Sequence, residues 1–390
     1  MAKPRLVYIG DVPVEASYHG SALLHRLLAE YPAEKLCVVE TATPSVPARR
    51  LAGVEYLSYP IANQRWLNTR FHPHAVAWFS RVAARTGPRI ETMVDGFECE
   101  GVLTVAHGFG WLAAADFAAQ RKLPLHLMIH DDWPRVAAVK PRVREWIDAR
   151  FASVYRQARS RICVSPAMSA AYQARYGAPA EVLYPIRAAN CPEFETVPAR
   201  VGQNEAPFTI AFAGTINSTG YIEALRRLQE ALERVDGRLL IFGPLTKVEA
   251  KRVGLNSITE VCGLLSSSEL MSRLREQADA LFVPMSFDTE DRVNMQMAFP
   301  SKLADYTAVG LPLLIYGPHY CSAVVWAREN SGVAEIVERE DLLSEGVARL
   351  ANKPDLRINL GRRALEIGKK YFSHATTQQL FNPRFPCSCG

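Results

Sequence analysis

Short apolar runs alternate along most of the chain with longer stretches in which apolar residues recur every three or four positions. Short runs of this kind are typical of buried strands, and the longer spacing is typical of helices that bury one face. The first series of predicted strands lies at residues 5–9, 36–39, 54–57, 102–106, 125–129, 161–164 and 182–184. The second series lies at residues 208–213, 238–242, 259–262, 280–283, 313–316 and 333–336. Strands that alternate with helices predict parallel sheets with helices on both faces.

A break between the two series divides the chain. Residues 187–207 contain proline, glycine and asparagine with little periodicity, so we place a linker in or beside this segment. The sequence therefore predicts an α/β protein with two doubly wound, Rossmann-like domains, at residues 1–190 and 191–370, that face each other across a cleft. Because ligands of such sheets bind beyond the carboxyl ends of the strands, functional residues are expected in the loops there.

The segment at residues 299–312 combines the features of a phosphate site and a sugar site. Pro300 is compatible with the first turn of a helix, and a later glycine and proline would end that helix before an apolar run. The helix N-terminus, with Ser301 and Lys302 beside it, would attract a phosphate. Asp305 lies on the same predicted face, where its carboxylate can accept hydrogen bonds from a ribose diol. This combination predicts a nucleotide site.

Further candidates follow other strands of the second series. Gly214 and Thr215 begin a loop in which backbone N–H groups can approach phosphate oxygens, although an ordinary strand-to-helix turn has a similar composition. Gly243 and Pro244 can form a wall of a base pocket or only a turn. The polar loop at residues 285–298 contains Asp288 and Glu290; it can shape a ligand site or be a solvated surface loop.

His130 follows a predicted strand of the first series, where a side chain would point into the cleft. The alternative interpretation is a structural histidine bonded to Asp131 or Asp132. We favour a functional role, because a polar cluster followed by Trp133-Pro134 is an unusual end for an apolar strand.

A different class of protein is indicated by Gly108-Phe109-Gly110, which opens a G-x-G-x-x-A pattern after a strand. With Asp131 or Asp132 about 20 residues further on, this pattern fits an NAD(P)-dependent oxidoreductase. Two features oppose it: the pattern does not follow the first strand of the domain, and Trp111 would crowd the helix start that a pyrophosphate must approach.

Composition narrows the choice of partners and compartment. The chain has 390 residues, 48% hydrophobic and 22% charged, which is ordinary for a globular protein. A net charge of +5 with acidic residues spread throughout makes nucleic acid a poor candidate partner. The first residues resemble no signal peptide and no run is long enough to span a bilayer, so we expect a cytoplasmic protein, with peripheral contact at the inner face of the membrane left open.

Two local compositions leave alternatives open. The eight cysteines are scattered, which favours reduced thiols, and the close pair Cys387-Ser-Cys389 lies in a polar tail that is either a weak metal site or a disordered end. Residues 65–89 mix aromatic side chains with arginines, as in helices that lie on anionic lipid. A half-buried helix with a solvated basic face is the alternative that we favour.

The second series of elements resembles retaining GT-B glycosyltransferases, particularly family four and its bacterial polysaccharide-assembly relatives. The resemblance covers most of residues 208–337. The motifs that carry it are Phe212-Ala213-Gly214-Thr215, Leu240-Ile241-Phe242-Gly243-Pro244, Ala278-Asp279-Ala280-Leu281-Phe282-Val283-Pro284, Phe299-Pro300-Ser301-Lys302-Leu303-Ala304-Asp305-Tyr306 and Gly310-Leu311-Pro312. The first series is similar only loosely, at residues 10–19, at His130-Asp131 and at Val164-Ser165.

The resemblance implies transfer of a sugar from a nucleoside-diphosphate sugar to a glycan, lipid-linked or small-molecule acceptor, with retention and without a metal or other cofactor. It implies a donor site in the second domain, an acceptor site in the first, and a C-terminal segment at 371–390 that crosses back to the first domain. By position, Asp305 matches a ribose-binding glutamate, Ser301 and Lys302 match the diphosphate site, and His130 matches a histidine that touches the donor sugar. The candidate catalytic residues are His130 and Lys302, and the candidates for the acceptor side are Asp11, His19, His107 and Asp131.

The sequence departs from the pattern of these enzymes at two places. The basic pair that follows the first strand of the second domain has no match, so Lys302 would carry more of the phosphate charge. The first of two family glutamates falls on Met297, and Asp288 or Glu290 is the candidate replacement. The same fold also serves nucleotide-sugar epimerases, which remain an alternative.

Overall fold

The computed structural model describes residues 3–17, 19–62, 64–136, 139–203, 207–216 and 218–382. The Cys387-Ser-Cys389 pair and the end of the predicted 371–390 segment lie outside these residues, and so does the side chain of His19. The chain forms two compact units. The first contains Met1–Tyr184 and Thr377–Gly390, and the second contains Pro185–Thr376.

The first unit contains a parallel sheet with the strand order β3-β2-β1-β4-β5-β6-β7. Its strands are β1 (Leu6–Gly10), β2 (Leu36–Glu40), β3 (Glu55–Ser58), β4 (Gly101–Val105), β5 (Leu125–Ile129), β6 (Ser160–Cys163) and β7 (Glu181–Val182). Its helices are α1 (His19–Leu28), α2 (Gln64–Leu67), α3 (His72–Ala83), α4 (Gly87–Met93), α5 (Gly110–Arg121), α6 (Trp133–Val136), α7 (Pro141–Gln157) and α8 (Pro166–Tyr176), with 3-10 turns at Ala33–Lys35 and Pro47–Arg49. The central strands β1, β2, β4 and β5 are buried along their whole length, because helices cover both faces of the sheet.

The second unit contains a parallel sheet with the strand order β10-β9-β8-β11-β12-β13. Its strands are β8 (Thr209–Ala213), β9 (Arg238–Phe242), β10 (Thr259–Gly263), β11 (Ala280–Pro284), β12 (Leu313–Tyr316) and β13 (Ala334–Val337). Its helices are α9 (Thr219–Glu233), α10 (Lys247–Arg252), α11 (Ser267–Gln277), α12 (Arg292–Met297), α13 (Lys302–Val309), α14 (Ser322–Glu329), α15 (Leu343–Asn352) and α16 (Pro354–Phe372), with 3-10 turns at Ala199–Gly202 and Glu340–Leu342. The last helix, α17 (His374–Phe381), contains the division between the units.

The predicted fold class is confirmed: both units are parallel α/β sheets, and every predicted strand is present with its ends displaced by at most two residues. The described part of the segment at 187–207 belongs to the second unit and packs within it. The Arg187 guanidinium donates to Ala304 O at 2.8 Å and to Thr307 Oγ1 at 3.0 Å, and Val201 is fully buried. Among the described residues, no helix is both long enough and apolar enough to cross a bilayer.

Candidate functional site

The loops after β8 and β11 lie where the strand order of the second unit reverses. β8 and β11 are neighbours in the sheet, but β9 follows β8 toward one edge and β12 follows β11 toward the other. Such a reversal separates the two loops and leaves a crevice for a ligand beyond the strand ends. The predicted residues Gly214 and Asp288 belong to these loops, and Gly243 follows the adjacent strand β9.

The ammonium group of Lys302 lies near the carboxyl end of β8. Its Nζ lies 4.2 Å from the ring centroid of Phe212 in β8 and 5.1 Å from that of Tyr221 in α9. Burial lowers the pKa of Lys302 to about 7, and no carboxylate within the described residues forms an ion pair with it. A partly desolvated ammonium group that lies against ring faces, with no carboxylate partner in the described part of the chain, favours the arrival of an anion.

The N-terminus of α13 adds to the positive potential around Lys302. Ser301 is the N-cap residue and is exposed, and its hydroxyl does not cap the helix. The first N–H groups of a helix have no intrahelical partner, and they carry the positive end of the helix dipole. A helix N-terminus, an exposed hydroxyl and an ammonium group are the kinds of group that together attract a phosphate.

Tyr306 fixes the backbone beside Lys302. Its hydroxyl accepts from Ala213 N at 2.5 Å and donates to Ala213 O at 3.1 Å. The next residue, Gly214, donates its N–H to Phe242 O at 2.8 Å. A Cβ atom at Gly243 would lie 2.4 Å from Gly214 O, so the two loops can approach only because glycine stands there. Helix α13 therefore contains both Lys302, which is the cation, and Tyr306, whose hydroxyl positions the carboxyl end of β8.

Removal of the Tyr306 hydroxyl is expected to destabilise the protein. Tyr306→Phe leaves the buried N–H and C=O of Ala213 without this partner, which costs about 1–3 kcal/mol of unfolding free energy. Tyr316→Phe is the matched control, because the buried Tyr316 hydroxyl makes no hydrogen bond within the described chain. Urea denaturation should show a lower midpoint for Tyr306→Phe and an unchanged or higher one for Tyr316→Phe. Equal midpoints for the two variants would contradict the assignment.

Asp305 lies one helical turn after Lys302 and is half-buried. Burial lowers the pKa of Arg187, whereas the nearby Cys191, Asp305 and Glu193 oppose that shift. The buried Arg187 is thus a positively charged neighbour of Asp305. No sequence pattern points to Arg187, because it lies in a segment without periodicity.

The other predicted residues of the second unit are more exposed. Asp288 and Glu290 lie on the surface, and the Asp288 carboxylate accepts from Glu290 N at 3.0 Å. Pro244 is exposed and Thr215 is half-buried. These four residues lie in loops that follow the carboxyl ends of the strands. Gly214 lies beside the Lys302 ammonium group: a Cβ atom added to Gly214 would be 3.6 Å from Lys302 Nζ.

The predicted residues of the first unit follow the carboxyl ends of three strands in its sheet. Asp11 follows β1, His107 follows β4, and His130 and Asp131 follow β5, and these three strands are adjacent in the sheet. His107 is exposed, and its ring lies 4.9 Å from that of Trp133. The strand order reverses between β1 and β4, and sheets of this kind commonly bind ligands beside such a reversal.

His130 turns one imidazole nitrogen away from solvent. Its Nε2 is buried without a hydrogen-bond partner in the described residues, and its Nδ1 lies 3.2 Å from the position of an added Cβ on Gly20. Burial lowers the pKa of His130 to about 4, so the ring is neutral near pH 7. The adjacent Asp132 is occupied elsewhere: it accepts from Arg175 at 2.7 Å and from Tyr172 at 3.0 Å.

Asp11 occupies the place that the oxidoreductase hypothesis reserves for a pyrophosphate. Its carboxylate accepts from Phe109 N at 2.6 Å, at the N-terminus of α5, and from the Thr41 hydroxyl. A Cβ at Gly108 would lie 1.7 Å from Asp11 Oδ2, and a Cβ at Gly110 would lie 2.8 Å from Asp11 N. The glycines of the Gly108-Phe109-Gly110 pattern therefore allow close packing against the β1 loop. This finding disfavours the dinucleotide site.

Burial raises the pKa of the Asp11 carboxyl group, whereas the hydrogen bonds from Thr41, Phe109 and Gly110 and the charge of His107 oppose that rise. Asp11 therefore holds the β1 and β4 loops together with an anion that belongs to the protein itself. Among the described residues, no group of three or more His, Cys, Asp or Glu side chains is arranged to hold a metal ion.

No protein-family model and no curated protein sequence matches the chain. Solved structures do match, and they are GT-B glycosyltransferases, so the chain has the GT-B fold. HepE from Anabaena, in complex with UDP and glucose, has 13% sequence identity and a TM-score of 0.65, with 97% of this chain and 98% of that chain covered.

Two further structures give the same picture. Sucrose-phosphate synthase from Thermosynechococcus elongatus has 14% identity and a TM-score of 0.65, with 97% of each chain covered. WaaG, a glycosyltransferase involved in lipopolysaccharide biosynthesis, has 14% identity and a TM-score of 0.62, with 99% of this chain and 100% of that chain covered. The similarity extends over both units at a low sequence identity.

Proposed function

We propose that the protein is a glycosyltransferase that uses a nucleoside-diphosphate sugar, with a uridine nucleotide as the first donor to test. The observation that carries the proposal is the half-buried Lys302, whose ammonium group lies against Phe212 and Tyr221 at the N-terminus of α13 with no carboxylate partner among the described residues. The GT-B fold supports it, and so does the UDP bound to HepE. A nucleoside diphosphate supplies the anion that this site lacks.

The same residues suit the chemistry of transfer. When the bond between the anomeric carbon and the phosphate oxygen breaks, negative charge grows on the departing diphosphate. Lys302, the Ser301 hydroxyl and the first N–H groups of α13 would stabilise that charge. The departing phosphate oxygen can accept the proton of the acceptor hydroxyl, which then bonds to the anomeric carbon. We assign retention to this reaction on the strength of the resemblance to family four.

The first unit is assigned to the acceptor. His107 and Asp131 follow the carboxyl ends of β4 and β5 and are assigned to the acceptor. The neutral His130 ring, whose Nε2 has no hydrogen-bond partner among the described residues, is assigned to a hydroxyl of the transferred sugar. Asp11 would act indirectly, by holding the β1 and β4 loops. A glycan or a lipid-linked glycan of polysaccharide assembly is the proposed class of acceptor, in accord with the similarity to WaaG.

A thermal-shift panel of UDP, GDP, ADP, CMP and NAD tests the proposed donor class. A ligand at 100 times its dissociation constant stabilises a protein by about 2.7 kcal/mol. We expect a nucleoside diphosphate to stabilise the protein in the presence of a chelator, because no metal is assigned to the site. Stabilisation by NAD alone would refute the proposal. Conversion of a UDP-sugar into its epimer without release of UDP would instead assign an epimerase.

The affinity for a UDP-sugar is expected to depend on pH through Lys302. The pKa of about 7 in the free protein means that the ammonium form is lost as the pH rises above about 7, whereas the bound diphosphate favours that form. Affinity should therefore be highest below pH 7 and fall by up to about tenfold per pH unit above it. Calorimetry with UDP-glucose, whose diphosphate does not titrate in this range, measures the profile. A flat profile would contradict the role of Lys302.

A further inference from the structure

The helices α2 and α3 of the first unit expose three large aromatic side chains. The exposed fractions are 58% for Trp66, 48% for Phe71 and 66% for Trp78. Soluble proteins bury most of the area of such side chains, so a cluster of exposed ones marks an interaction surface. The turn that joins the two helices is ordered: Thr69 Oγ1 donates to Trp66 O at 2.9 Å, and Phe71 N donates to Thr69 Oγ1 at 3.2 Å.

The aromatic side chains share their surface with basic ones. Phe71, His74, Trp78, Arg81 and Arg85 follow each other at intervals of three and four positions, which places them on one stripe of α3 and its flanks. The opposite side of α3 is buried. We call this exposed stripe, together with Arg65, Trp66 and Arg70, the aromatic–arginine face.

The charge of this region has one sign. No aspartate or glutamate occurs between residues 56 and 90. The same stretch contains five arginines, whose charge equals the net charge of the whole chain: Arg65, Arg70, Arg81, Arg85 and Arg89. No carboxylate pairs with the last four of them among the described residues.

Neighbouring contacts orient these arginines and extend the positive region. The Arg70 guanidinium lies over the Phe71 ring at 5.0 Å, and that of Arg81 lies over Trp146 of α7 at 5.6 Å. The Nζ atom of Lys140, at the start of α7, lies 3.3 Å from His74 Nε2. Lys140 therefore adds one further positive charge beside α3.

We propose that the aromatic–arginine face docks on a membrane surface that contains anionic phospholipids. Tryptophan is favoured at the level of lipid headgroups, and arginine is attracted by lipid phosphates, so the two residue types act together at such a surface. A second copy of the chain fits less well, because two faces without any acid between residues 56 and 90 would repel each other. The face thus complements a negative surface with an apolar layer beneath it.

Vesicle binding of the intact protein tests this proposal. The probe is a set of vesicles of phosphatidylcholine alone and of phosphatidylcholine with phosphatidylglycerol, separated by flotation. We expect binding to the anionic vesicles only. Arg81→Gln with Arg85→Gln should weaken it by about 30-fold, since each basic residue near a membrane contributes about a fivefold factor. Phe71→Ser with Trp78→Ser should weaken it by about tenfold or more.

Helix α10 of the second unit provides matched controls. Val248 is 69% exposed and lies among Lys247, Lys251 and Arg252, so this helix also combines an apolar side chain with positive charge. Val248→Ser, and Lys251→Gln with Arg252→Gln, should leave vesicle binding unchanged. Equal losses in both sets of variants would overturn the proposal, because binding would then follow total charge and not this face.

A spectroscopic measurement separates insertion from simple attraction. Brominated lipids should quench the fluorescence of Trp66 and Trp78, so the quenching should fall in a variant with both residues changed to phenylalanine. Binding to neutral and anionic vesicles alike, no quenching, or a dimer that Trp78→Ser converts to a monomer would each refute the membrane assignment. These assays contain no sugar donor, so their failure leaves the proposed transferase function untouched.

Discussion

Replacement of Lys302 by methionine is expected to lower kcat/KM for sugar transfer by about 100- to 1,000-fold. Loss of one preorganised group that stabilises developing charge typically has an effect of this size. Methionine fills a similar volume and suits the contact with the Phe212 and Tyr221 rings, so the site keeps its shape and loses its charge. The measurement is the initial rate of nucleoside-diphosphate release from the donor that the thermal-shift panel identifies.

Two comparisons make the Lys302 result specific. The unfolding free energy of Lys302→Met should be unchanged or higher, because the substitution removes a buried ammonium group whose charged form burial disfavours. Lys247→Met, at an exposed position of α10, should retain the full rate. A Lys302→Met enzyme that turns over normally would exclude Lys302 from the reaction.

Gly110→Ala is expected to reduce the unfolding free energy by about 2–4 kcal/mol. The added Cβ would lie 2.6 Å from Gly10 Cα and 2.8 Å from Asp11 N, and backbone atoms cannot move aside as a flexible side chain can. The expected result is a clear fall in the urea midpoint, measured by circular dichroism. The substitution tests the assignment of this glycine to packing.

The control for Gly110→Ala is Gly96→Ala in the same unit. Gly96 has a φ of +84° and open space around it, so alanine there has only the backbone cost of about 1–2 kcal/mol. If Gly110→Ala proves no worse than this control, the two loops are not in close contact. Stabilisation of the parent protein by NAD would also contradict this close contact, since it would require a pyrophosphate in the place of Asp11.

The fold could be predicted because its signals are local. Strands such as β5 and β9 are short apolar runs bounded by polar residues, and helices such as α8 begin at a serine cap and end at a glycine. The fold class followed from their alternation. A buried charge such as that of Arg187 gave no such signal, because its partners Ala304 and Thr307 lie far along the chain.

The candidate site could be predicted only in part for the same reason. Lys302 and Ser301 were found from a helix start and its composition. The ring pair that holds the ammonium group joins residues from β8, α9 and α13, and the sequence does not show which distant residues meet. The pattern at Gly108 and Gly110 illustrates the opposite error, since close packing against Asp11 requires glycine as a pyrophosphate would.

The most direct test of the proposed donor site is a pair of calorimetric titrations with UDP and with uridine, on the parent protein and on Lys302→Met. The account predicts that the parent protein binds UDP much more tightly than uridine, because Lys302 and the α13 N-terminus hold the diphosphate. Lys302→Met should lose about 10- to 100-fold in affinity for UDP and keep its affinity for uridine. Equal losses for both ligands, or no preference for UDP in the parent protein, would contradict the account.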